Sequence, residues 1–263
     1  MNRPATIELR GSLDDFILHF DECVEDFYSD PHVAKPLRRS SDNFRKGPCV
    51  YFHQAAIRHV RQHSRPFAEW LANDLHYQEL LYGVLTAWGM NQGGARLKDF
   101  ADFQRALIHL ASLESLERCR SIDLEHLTDQ HRPLLQEIFT VLADPARSKI
   151  MASGAFVVGS SKLLHHLMPD LIPPIDNEYT YDGLLAYLDD ENRVTEPLES
   201  FDAVWHILAC FRKVVQGVTA GHIRTRWLAN EEVHPMNTSI PKAIDNALIS
   251  YSWRLWPETE REP

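Results

Sequence analysis

Four cysteines occur in 263 residues, and no two of them are neighbours. Cys23, Cys49, Cys119 and Cys210 form no CxxC pair and no spacing suited to an iron–sulfur cluster. That argues against a disulfide scaffold and for buried thiols in a reducing compartment. Long apolar runs are also missing. None approaches the length needed to span a bilayer, and the opening MNRPATIELRGS has no signal-peptide core. A cytoplasmic location and no membrane partner are therefore expected. Basic charge is in deficit, with a formal net charge of −10, which argues against a generally basic nucleic-acid binder. There is no series of alternating strands, no glycine-rich phosphate loop after a strand, no internal repeat and no HExxH.

What is there reads as helices. Leu13, Phe16, Ile17, Phe20, Cys23, Val24 and Phe27 recur at helical spacing behind a Ser12 N-cap, which predicts one acidic helix over 12–30. Residues 31–50 look irregular, with a short extended piece at 49–52. Further helices are expected over 51–71 with an interruption at Pro66, over 77–88, over 97–113, over 122–141 with a break near Pro133, and over 201–218. Asp144-Pro145 looks like the start of the helix leading to residue 157. Asn237-Thr238-Ser239-Ile240-Pro241 caps a last helix through Trp253, with Pro241 in its first turn, and residues 257–263 are expected to fray. The fold class is all-α, with few or no strands. Three segments are expected: 1–75 as a helical extension with a basic stretch, 76–190 as the core, and 191–263 as helices packing back on it.

The stretch VVGSSKLLHHLMPDLIPPIDNEYTY, residues 157–181, carries the candidate chemistry. Its Gly159-Ser160-Ser161 predicts a tight turn opening a helix that bears Lys162. Two prolines then lead to Asp176, a good N-cap for the next helix. A carboxylate held ionised by helix N–H groups can stabilise an oxocarbenium-like centre or orient water. A partly desolvated lysine can act as a nucleophile on a sugar carbon. His59 and His63 lie four apart on one helix face, but the sequence shows no carboxylate or cysteine beside them. The histidines are read as core or surface residues, and neither a metal nor another cofactor is expected. Asn91 and Gln92 sit beside Gly93 and Gly94 in a loop whose polar tip suits contact with base edges. Charge is uneven: residues 1–30 are acidic, whereas 35–65 hold Lys35, Arg38, Arg39, Arg45, Lys46, Arg58, Arg61 and Arg65 against Asp42 alone. Asn237, Lys242 and Asp245 form a second polar cluster, read as closing the fold.

Taken together, ELLYGVLTAWGMNQ (79–92), VVGSSKLL (157–164) and LIPPIDNEYT (171–180) resemble the helix-hairpin-helix DNA glycosylase superfamily of the endonuclease III-like fold. The resemblance covers less than half the chain. It departs from the family pattern in its single hairpin glycine, its shorter Lys162–Asp176 interval and the absence of a four-cysteine cluster. It implies a two-lobed helical bundle that binds double-stranded DNA, extrudes a damaged or modified nucleotide and hydrolyses the N-glycosidic bond to leave an abasic site. By the match, Asp176 is the essential carboxylate and Lys162 the nucleophile of members that also cleave the strand. The N–H groups of Gly159, Ser160 and Ser161 contact phosphate, and Asn91 or Gln92 fills the gap left by the nucleotide. Arg38, Arg39, Arg45 and Lys46 would add flanking charge, and Trp88, Tyr179 and Tyr181 would line the base pocket. A hypermodified pyrimidine of the phage type, and with it a role in phage defence, is one candidate target. The alternative is a non-enzymatic all-α nucleic-acid- or protein-binding module that kept only the scaffold.

Overall fold

Helix boundaries in the computed structural model follow the punctuation of the sequence. The structure describes residues 12–29, 47–91, 94–144, 149–154, 156–181, 184 and 200–255. Ser12 Oγ accepts the Asp15 N–H at 3.1 Å and opens α1 (Leu13–Leu18). The single helix expected here is two, because the chain turns at His19 (φ −102°, ψ 16°) before α2 (Phe20–Ser29). Next comes α3 (Pro48–Gln62). Proline at its first position has its φ already set for a helix, so 49–52 is the first turn of α3 and not an extended piece. Pro66 separates α3 from the one-turn α4 (Phe67–Trp70). Asp74 caps α5 (Leu75–Ala87) by accepting the Tyr77 N–H at 2.9 Å.

After α6 (Phe100–Ala111) and α7 (Glu114–Cys119), two 3₁₀ turns lead into α8 (Arg132–Ala143). Pro133 lies in the first turn of α8, so it starts this helix and breaks none. Asp144 closes α8, and its carbonyl accepts the Lys149 N–H at 2.9 Å, so it does not open the next helix. Residues 150–152 instead pair with the loop after α5, through one antiparallel bridge between Leu97 and Met151. α9 (Phe156–Leu167), α10 (Phe201–Val218), α11 (Ala220–Trp227) and α12 (Ile240–Leu255) follow. The fold is all-α, and no strand forms among the described residues.

Packing is organised by α12. Every residue from Ile240 to Ser252 is buried. The helix lies along α2 and also touches α10, α11 and the turn at 177–181. Each apolar side chain it buries contributes about 1.5–3 kcal/mol. α3 packs on α5, and both meet α9. One apolar cluster runs from Leu13 to Tyr251 and is shared by the three segments expected from the sequence. All four cysteines are buried thiols outside any disulfide, as their spacing suggests.

Gly159 sits where α9 passes the 150–152 segment. A Cβ built there would stand 2.4 Å from Met151 Sδ and 2.6 Å from its Cγ. Gly159→Ala should gain about 0.8–1.0 kcal/mol in helix propensity and lose about 1–3 kcal/mol to overpacking. The expected result is a net loss of stability in urea unfolding. In a Met151→Ala background, where the contact is gone, the same change should become neutral or stabilising.

Candidate functional site

Lys162 and Asp176 are both helix caps, and each keeps capacity to spare. α5 ends in a Schellman motif: the Gly89 N–H bonds Thr86 O at 3.1 Å and the Met90 N–H bonds Leu85 O at 3.0 Å. Gly89 takes the positive φ (+81°) that the motif requires. The Trp88 carbonyl is left over, and Lys162 Nζ donates to it at 3.5 Å. A cation is favoured at this end of a helix. Burial nevertheless depresses the lysine's pKa, against the opposing pull of Asp176 and Asp245, and the nearby Lys242 lowers it further. Asp176 caps a single π-helical turn, Asn177–Tyr181. Its Oδ1 accepts the N–H groups of Tyr179 at 2.6 Å and Thr180 at 3.2 Å. Oδ2 accepts no hydrogen bond among the described residues, and the side chain is half-buried.

Near this pair stands the polar cluster that the sequence reads as closing the fold. Lys242 is fully buried and donates to Asp245 Oδ2 at 2.5 Å and Asn246 Oδ1 at 2.6 Å. Asn246 Nδ2 donates to Asn237 Oδ1 at 2.7 Å, and the Tyr28 hydroxyl donates to the same oxygen at 3.0 Å. Thr180 joins this cluster to Asp176. Its hydroxyl accepts the Asp176 N–H at 3.3 Å and donates to Asp245 Oδ1 at 3.3 Å. Burial raises the Asp245 pKa, Lys242 opposes it, and Asp176 pushes the same way as burial. Residues 242, 245 and 246 share one helical stripe, so a polar stripe on an otherwise apolar helix was the available sequence signal. Thr180 lies outside that helix and carried no such signal.

A chain of imidazoles borders the cluster. A carbonyl only accepts, so His166 must carry its proton on Nδ1 to donate to Lys162 O at 2.7 Å. Its Nε2 then accepts from His53 Nδ1 at 3.0 Å, and His53 Nε2 accepts from the Thr238 hydroxyl at 2.8 Å. This direction keeps both rings neutral. His165 donates from Nδ1 to Ile172 O at 2.7 Å. Burial is the main cause holding all three well below the usual histidine range, to about 4 for His166.

Several expected contacts need correction. Gly159, Ser160 and Ser161 form no turn. They lie inside α9 and are buried, so their N–H groups are not presented to a phosphate. Trp88 is buried, with the rings of His53 and His166 at 5.0 and 4.9 Å and Lys242 Nζ at 5.4 Å, so its faces serve the interior and not a base pocket. Asn91 is exposed, but its Oδ1 accepts the Leu97 N–H at 3.0 Å and staples the loop. Tyr179 and Tyr181 are half-buried in the π turn beside Asp176. Gln92, Arg38, Arg39, Arg45 and Lys46 lie outside the described residues. A cleft of about 320 Å³ opens elsewhere, among Arg120, Asp123, Glu125, Asp170 and Arg224. Its charges are largely paired, Arg224 with Glu125 at 3.1 Å and Asp170 with Arg61 at 3.0 Å.

The neutral imidazoles make stability depend on pH. Unfolded, each ring titrates near 6.5, whereas the folded values lie lower, so the unfolded chain binds more protons as pH falls below 6.5. Stability should be lost from about pH 6.5 down to about 4, with His166 alone contributing about 3 kcal/mol over that window. Urea midpoints should be lower at pH 5 than at pH 7, and the drop should shrink in a His53→Gln, His166→Gln variant. Set against protein-family models, curated proteins and solved structures, the chain finds a match in none of the three.

Proposed function

We propose that the chain is a nucleic-acid base-excision enzyme that hydrolyses the N-glycosidic bond of a modified or damaged base in double-stranded DNA. The observation that carries this reading is a half-buried, backbone-capped carboxylate, Asp176, within electrostatic reach of a half-buried amine, Lys162. As the glycosidic bond breaks, its electron pair leaves with the base and positive charge develops on the sugar. A carboxylate with one oxygen fixed and the other unengaged among the described residues is suited to face that charge. It also suits orienting a water, which adds to C1′ while its proton passes to the carboxylate. Thr180 ties the carboxylate's backbone to the Lys242–Asp245 pair, so the acid rests on a rigid support. Arg58 and Arg65 are exposed on and just after α3 and add positive charge to an acidic protein. A second reading, a binding module without catalysis, draws support from the burial of Gly159, Ser160 and Ser161, which leaves no phosphate-binding hairpin there.

The test is release of free base from DNA carrying different modified bases, with abasic sites counted. Asp176→Asn should lower abasic-site formation by about a hundredfold or more while its salt-dependent retention on DNA stays unchanged. Retention without base release by the unaltered protein would favour the binding module. Borohydride should trap no enzyme–DNA adduct if water is the nucleophile. A trapped adduct that disappears in Lys162→Gln would instead assign the attack to the amine.

A further inference from the structure

The carboxylate that the sequence did not place beside His59 and His63 is Asp74. Both histidines lie at the C-terminal end of α3, on or just after its last turn, and Asp74 is the N-cap of α5. The ligand atoms of the three residues all lie within 4.8 Å of one another. Asp74 Oδ2 is 2.7 Å from His59 Nε2 and 3.8 Å from His63 Nε2. A tetrahedral zinc ion with bonds near 2.0–2.1 Å needs ligand atoms about 3.3 Å apart. Small side-chain rotations therefore bring the set into register.

Asp74 and His63 are also oriented from behind. Asp74 Oδ1 is occupied by the Tyr77 N–H, which leaves Oδ2 facing the imidazoles. His63 Nδ1 donates to the His59 carbonyl at 3.0 Å, so Nε2 carries the lone pair that points toward Asp74. This is the outer support that metal-bound histidines commonly have. His63 stacks on Trp70 at 4.1 Å, and His59 stacks on Tyr77 at 4.8 Å with 7° between the planes. The rings thus have little freedom to lose on binding. All three side chains are about one-fifth exposed, which gives an ion a way in and leaves room for a water.

We infer that His59, His63 and Asp74 form a site for a zinc-class divalent transition metal, with the fourth position held by water. Two imidazoles and one carboxylate suit zinc better than the oxygen-seeking calcium or magnesium. On binding, His59 moves its proton from Nε2 to Nδ1, and its hydrogen bond to Asp74 gives way to two bonds to the metal. The ion clasps the end of α3 to the start of α5, the two helices that hold α9. This inference is independent of the proposed enzymatic activity.

The experiment is calorimetric titration of metal-stripped full-length protein with zinc sulfate, followed by thermal unfolding with and without the metal. One equivalent per chain and a raised Tm are expected. His63→Gln and Asp74→Asn should each weaken binding about a hundredfold or more. His126→Gln, at the exposed Asp123–Glu125–His126 group, should change neither affinity nor stoichiometry. Cobalt(II) gives a second readout on the unaltered protein: visible bands of a four-coordinate N/O site without sulfur charge transfer. No zinc heat and no cobalt bands, or binding undiminished in both ligand variants, would overturn the inference.

Discussion

A charge pair sealed inside an apolar bundle must be satisfied on every side, and Lys242 with Asp245 imposes that condition on its surroundings. Removing one partner of such a pair typically costs about 3–5 kcal/mol, because the other charge stays buried. Asn246, Asn237, Tyr28 and Thr180 are arranged to complete its hydrogen bonds. Those partners come from α2, from the segment before α12, from α12 itself and from the π turn. The pair thus ties distant parts of the chain to one point, and Asp176 inherits its position from that point through Thr180.

The same requirement places structural duty on the two side chains that the proposed chemistry would use. Lys162 satisfies the end of α5 and Asp176 the start of the π turn. Neither role exhausts the group. A half-buried ammonium with one long hydrogen bond holds its proton less firmly than a solvated one, and a carboxylate with one oxygen committed still has another. Capping therefore holds the two groups in place without disarming them.

Local signals were well written in the sequence. Ser12, Asp74, Ser200 and the Ser239–Pro241 start of α12 each mark a helix where one forms, because a cap acts on the three or four residues beside it. Misreadings arose where a neighbour distant in sequence decided the outcome. Gly159 looks like a turn residue, but it serves as the thin side of a helix–Met151 contact. Trp88 looks like a loop aromatic, but His53, His166 and Lys242 surround it. Asp176 was legible from its two preceding prolines. Its link to Asp245 spans a separation that no local pattern encodes. His59 and His63 were seen as a pair, while Asp74 was hidden because the chain returns to them only after α4.

The depth of α12 has a consequence for biosynthesis. Its principal neighbour is α2, and the contacts between them join the two ends of the described chain. Bringing such remote segments together is entropically costly and slow. On the ribosome, α2 emerges well before α12, and its apolar face must wait until α12 has been made. The nascent chain thus exposes that face until α12 arrives, and closure by α12 is the step at which a chaperone would have to let go.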